Sequence, residues 1–98
     1  MAAGVKISWT ELAISHLRAA YDYVAADNPA AAEEVLRRIF SAAEFLVQHP
    51  NLGRTERVEG TRELVIAGTP FTVAYRTRGG GIEILAVLRG ARKWPADL

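Results

Sequence analysis

Residues 82–89, Ile-Glu-Ile-Leu-Ala-Val-Leu-Arg, carry apolar side chains on both sides of an extended backbone: Ile82, Ile84, Ala86 and Leu88 on one, Leu85 and Val87 on the other. A strand with one solvated face has no use for two apolar rows, so this one must lie inside a sheet, with a neighbour on each side. One neighbour is the segment just before it. Phe71–Arg76 alternates Phe71, Val73 and Tyr75 against Thr72, Ala74 and Arg76, and a glycine-rich loop over residues 77–81 returns the chain antiparallel. The other neighbour is the chain's first strand, residues 5–9, where Val5, Ile7 and Trp9 alternate with Lys6 and Ser8.

The residues between these strands read as helix. Thr10 is a cap, Glu11 sits at the positive end of the helix dipole, and Ala13, Leu17, Ala20 and Val24, flanked by Ile14 and Tyr21, form one apolar stripe. His16 and Arg18 lie off that stripe. Asn28-Pro29 pairs a cap with a first-turn proline, opening a second helix that presents Leu36, Ile39, Phe40, Ala43, Leu46 and Val47. His49-Pro50 ends it. A short strand over 62–66 completes a meander. The expected fold is α+β: a helical hairpin packed on one face of a mostly antiparallel, four-stranded sheet, residues 1–98 forming a single domain.

Half of the 98 residues are hydrophobic, enough for one core. The absence of cysteine excludes disulfides and thiolate chemistry and fits a reducing compartment; with neither a signal-peptide layout nor a membrane-length apolar run, a cytoplasmic protein is expected. No metal-ligand cluster or nucleotide-binding glycine pattern is present, so no metal and no cofactor are expected. The net charge of +1 hides an asymmetry: residues 1–53 sum to −2 and residues 54–98 to +3. The basic half points to an anionic partner, or to no more than a solvated face.

If Phe71, Val73, Tyr75, Ile82, Ile84, Ala86 and Leu88 all face the helices, strict alternation sends Arg76 and Arg89 to the opposite face. Arg54, Arg57, Arg62 and Arg92 fall at loops and strand ends around it, and Lys93 and Trp94 follow. Guanidiniums gathered this way suit bidentate capture of phosphate, and Trp94 offers a surface for a stacked base or an anchor for the tail.

These segments resemble the RelE/ParE superfamily of bacterial toxins. The resemblance is carried by Leu52-Gly53-Arg54, Gly60-Thr61-Arg62-Glu63-Leu64, residues 70–76 (Pro-Phe-Thr-Val-Ala-Tyr-Arg), residues 82–88, Gly90-Ala91-Arg92 and Trp94-Pro95. It implies the toxin of a type II toxin-antitoxin pair, neutralised by a cognate antitoxin. It leaves two activities open on one scaffold: a ribosome-dependent mRNA endonuclease, as in RelE-like members, and inhibition of DNA gyrase without nuclease activity, as in ParE-like members. An inactive relative that only binds its antitoxin is the third reading.

The nuclease reading comes first, with Arg62, Arg76, Arg89 and Arg92 as transition-state groups, Arg54, Arg57, Lys93 and Trp94 as substrate-binding groups, and Glu63 or Glu83 as the base. Its weak point is Arg89, which stands where relatives often carry histidine. Arginine stabilises charge but does not shuttle protons near neutral pH. Glu63 and Glu83 have a plainer reading as ion-pair partners that hold the arginines. His16 and His49 read as surface residues. The antitoxin is expected on the apolar surface around Tyr21, Tyr23, Phe40 and the first strand's edge, where a helix or extended segment can add.

Overall fold

The computed structural model describes residues 7–90. The elements run β1 (Ile7–Trp9), α1 (Glu11–Ala25), α2 (Pro29–Gln48), β2 (Arg54–Thr55), β3 (Thr61–Val65), β4 (Phe71–Arg78) and β5 (Gly81–Arg89). The sheet order is β1-β5-β4-β3-β2, antiparallel throughout except that β1 runs parallel to β5. The doubly apolar strand is therefore flanked on both sides, as its two rows require. The sheet has five strands rather than four, because Arg54, expected at a loop or strand end, forms a short strand with Thr55 that pairs with Glu63 and Arg62.

Local chemistry sets the helix boundaries. The Thr10 hydroxyl accepts the Ala13 N–H at 3.0 Å and the Asn28 side chain accepts the Ala31 N–H at 3.2 Å, each satisfying a donor that the first helical turn leaves unpaired. Pro29 occupies the start of α2, where a missing N–H costs nothing. The hairpin between β4 and β5 is tighter than the expected five-residue loop. Gly79 and Gly80, with φ of 58° and 78°, make a two-residue turn whose backbone twist matches that of the strands, so β4 extends to Arg78.

Both helices pack on one face of the sheet. Ala13 and Ala20 of α1 and Val35, Ile39, Ala43 and Leu46 of α2 meet Phe71, Val73, Tyr75, Ile82, Ile84 and Val87 in one buried cluster. Phe40, expected in that core, lies on its margin: it is 43% exposed and packs edge-on against Trp9 at 5.3 Å. Val35 takes a core position that the sequence reading did not assign.

One irregularity rearranges the rest. Along β4 and β5, Tyr75 lies opposite Ile84 but Ala74 lies opposite Ala86, leaving Leu85 with no partner across the ladder. An unpaired residue of this kind, a β-bulge, restarts the alternation one residue late. Beyond it Val87 faces the helices, while Ala86 and Leu88, expected there, join Ala74 and Leu85 in a separate buried cluster on the far face. A one-residue slip moves every later side chain to the other side of the sheet.

Candidate functional site

The bulge decides where the arginines go. Arg89 lies opposite Phe71, on the helix side, and its guanidinium sits 4.2 Å from the centre of the Tyr23 ring on α1. The expectation that Arg89 shares a face with Arg76 is thus corrected: the inserted residue turns it over, and Tyr23 holds it by cation–π attraction. Arg62 is also on the helix side, opposite Tyr75. Its Nη1 donates to the carbonyls of Gly53, at 2.7 Å, and Asn51, at 3.3 Å, so it fastens the loop that leads into β2. Arg57 is exposed in the loop after β2. Arg92, Lys93 and Trp94 lie outside the described residues.

The far face keeps Arg54 and Arg76 and gains Arg78. In β2 and β3, Arg54 lies opposite Glu63, with Nη2 3.4 Å from its carboxylate, and its Nε is 3.5 Å from Glu56. Arg76 lies opposite Glu83 and donates from Nε to Oε1 at 2.6 Å, while Arg78 Nη1 approaches the same oxygen at 3.6 Å. The hydrogen bond from Arg76, aided by the charge of Arg76 and Arg78, holds the Glu83 carboxyl below its ordinary pKa against the opposing effect of partial burial. Arg78 was missed in the sequence because β4 was expected to stop at Arg76. Two residues further on, the same row of a longer strand includes it.

A tyrosine on the helix side anchors the loop that leads into β2. The fully buried Tyr75 hydroxyl donates to the Pro50 carbonyl and accepts the Gly53 N–H, each at 2.8 Å. Gly53 lies so close that a Cβ there would come within 2.7 Å of the Tyr75 ring and 2.6 Å of the Glu63 carbonyl. Only glycine admits this approach, which fixes where Arg54, the next residue, leaves the loop.

The helix side of β5 is completed by a histidine. Among the described residues β1 pairs with Ile82–Ile84, and no strand flanks the rest of β5 on that edge. Side chains around α1 take its place: Thr10 Oγ1 donates to the Leu85 carbonyl at 3.0 Å, and His16 Nδ1 accepts the Val87 N–H at 3.1 Å. His16, expected at the surface, is instead half-buried, and desolvation lowers its pKa. It lines an apolar pocket of about 260 Å³ with Ala20, Tyr23, Phe71, Val87 and Arg89. His49 is exposed, its ring 4.4 Å from that of Phe45.

A helical hairpin on one face of a mostly antiparallel sheet is the architecture the sequence motifs pointed to, and the structure adds a glycine-arginine turn pinned by Tyr75. The family described as ParE toxin of type II toxin-antitoxin system, parDE, matches residues 7–94. The chain belongs to the ParE toxin family. It is similar to putative toxin Y4kP of Sinorhizobium fredii, with 38% identity over 93 residues covering 95% of this chain and 96% of the relative. Toxin RelE2 of Caulobacter vibrioides is 31% identical over 87 residues, covering 89% and 97%. Among solved structures, a chain of the chromosomal ParDE toxin-antitoxin system from P. aeruginosa superposes with a TM-score of 0.77 at 31% identity, covering 89% of this chain and 97% of that one. The isolated E. coli RelE toxin has a TM-score of 0.58 at 9% identity, covering 93% and 88%, a likeness of fold alone. This ParE-family chain is thus a type II toxin, and such a module implies a cognate antitoxin.

Proposed function

We propose that this toxin acts by binding, with DNA gyrase as its target in the cytoplasm, and does not cut RNA. The observation that carries this reading is the disposition of the charged groups. Attack of a ribose 2′-hydroxyl on the neighbouring phosphate needs a base, a cation for the phosphorane and an acid for the leaving oxygen. On the far face, Arg54, Arg76 and Arg78 supply cations only. Glu83, hydrogen-bonded to Arg76, is a weakened base. Arg89 and Arg62 are on the helix side, and His16 spends its Nδ1 on the Val87 N–H. Among the described residues no acid and base converge on one place where a phosphate would sit. What remains is a row of guanidiniums held out by carboxylates, suited to gripping a protein or nucleic-acid surface. The match to the ParE family and the likeness to the P. aeruginosa ParDE chain support the gyrase reading over the ribosomal one.

The antitoxin is placed, on the same reading, against α1 and the β1 edge, where Tyr23 and Phe40 are 58% and 43% exposed. The deciding experiment is induction of the toxin in growing cells with parallel thymidine and amino-acid labelling, together with a supercoiling assay on purified gyrase. Thymidine incorporation is expected to fall first, messages to stay intact and supercoiling to be inhibited. Early collapse of amino-acid incorporation with cleaved messages contradicts the proposal and restores the nuclease reading.

A further inference from the structure

We propose that the pocket between the middle of α2 and the turn joining β3 to β4 binds a carboxylate side chain of an acidic peptide segment on a partner protein. The pocket measures about 340 Å³ and is lined by Arg37, Arg38, Ser41 and Ala42 of α2 and, across from them, by residues 65–67. It shares no residue with the far-face arginines or with the surface placed for the antitoxin, so it stands whichever macromolecule the toxin poisons.

The two guanidiniums are fixed from behind. Glu34, one helical turn earlier, takes Nε and Nη2 of Arg37 on its two oxygens and Nε of Arg38 at 3.0 Å. Arg38 also donates from Nη1 to the Ala67 carbonyl at 3.2 Å, tying α2 to the turn. Gly68 makes that approach possible: it adopts a φ of 78°, and a Cβ on it would lie 2.7 Å from Arg38 Nη1. Each guanidinium has five N–H donors and spends two on these bonds, while both line the pocket. Glu34 does not line it, so the carboxylate that orders the cations sits outside, and Ser41, one turn after them, adds a hydroxyl. Side chains already held in place lose little freedom when an anion arrives.

The surroundings select the anion. Nucleic acid draws its affinity from many phosphate contacts, and α2 answers its two arginines with Glu33, Glu34 and Glu44, in a half of the chain whose net charge is −2. A long polyanion is repelled there, whereas a single carboxylate fits the guanidinium fork. Ala42, Val65 and Ile66 give the pocket apolar wall, and Val65 is 70% exposed, so an apolar neighbour of the acidic residue finds surface to cover.

The test is a titration of isotope-labelled toxin, at low ionic strength, with a peptide of alternating glutamate and leucine, followed by backbone amide shifts. Saturable shifts are expected at residues 37–42 and 65–68, and none there with the glutamine–leucine counterpart. The Arg37 side chain is 66% exposed, so Arg37→Gln leaves the fold intact and is expected to weaken binding at least about tenfold. Ser41→Glu is expected to abolish binding, because its carboxylate occupies the arginines from within, and Ser41→Gln to retain it. No saturable shift at these amides, equal shifts with the glutamine–leucine peptide, or full affinity in Arg37→Gln or Ser41→Glu overturns the proposal. A single-stranded oligonucleotide of equal charge that binds these amides more tightly than the peptide also overturns it, in favour of a nucleic-acid site.

Discussion

At the turn end of the β4–β5 hairpin, Arg76 lies across from Glu83 on the face away from the helices; at the open end, Arg89 lies across from Phe71 and rests on Tyr23 of α1. Strand alternation makes these two arginines equivalent, and the fold separates them by one unpaired residue, Leu85. The ends also differ in what holds them. The first is built from cross-strand pairing and the Tyr75 anchor, with β1 completing the ladder beside Ile82–Ile84. Among the described residues the second has no strand on its β1 edge, and Thr10 and His16 serve its backbone there instead. A sheet edge finished by side chains depends on their protonation in a way that a strand-to-strand ladder does not.

The largest effect is expected where the turn end is anchored. Tyr75→Ala removes a fully buried ring and both hydroxyl bonds, and denaturant unfolding should show a loss of about 3–5 kcal/mol. A loss no greater than that of a surface substitution would mean that the loop over residues 50–54 does not depend on this tyrosine.

At the open end, His16→Ala strands the Val87 N–H and should cost about 1–3 kcal/mol. The same residue sets a pH dependence. Its folded pKa is below the unfolded value of 6.5, so the unfolded chain binds the proton more readily and stability falls as pH drops from about 6.5 towards the lowered folded pKa. Glu83 acts in a more acidic window. Its folded pKa is depressed below 4.5, so its contribution is present above that value and lost as pH falls through the folded pKa. Unfolding curves from pH 7 to 3 should therefore show two losses, and His16→Ala should lack only the first. A single loss, below about pH 4.5, in both proteins would remove His16 from the account.

Smaller still are the arginines themselves. Arg76→Ala is expected to cost about 1 kcal/mol, as for a partly exposed ion pair, and Arg89→Ala about 0.5–1 kcal/mol from its contact with Tyr23. The double variant should lose the sum of the two, because the side chains lie on opposite faces at opposite ends of the hairpin.

Much of the fold was legible because its determinants are local. Thr10 and Asn28-Pro29 announce helix starts through hydrogen bonds that span three residues, and the two apolar rows of residues 82–88 require flanking strands wherever the chain supplies them. The same two rows hid the bulge. When Leu85, Ala86, Val87 and Leu88 are all apolar, a slip of one residue leaves the pattern unchanged, so the face of Arg89 was not encoded in alternation. The role of His16 was illegible for a different reason: it depends on β1 ending at Trp9, a tertiary fact that leaves the Val87 N–H in need of an acceptor. Arg76 lies on the far face, as alternation from Phe71 requires, because it and Glu83 are on the turn side of the bulge; Arg54, expected only around that face, lies across from Glu63.

The most direct test is where the Arg89 side chain lies, read by nuclear Overhauser contacts from its methylenes in the free toxin. The restarted alternation predicts contacts to the Tyr23 ring and the Phe71 side chain. Contacts to Thr72 and Ala74 instead would return Arg89 to the face of Arg76, restore a single arginine cluster and contradict the division on which the binding mechanism rests.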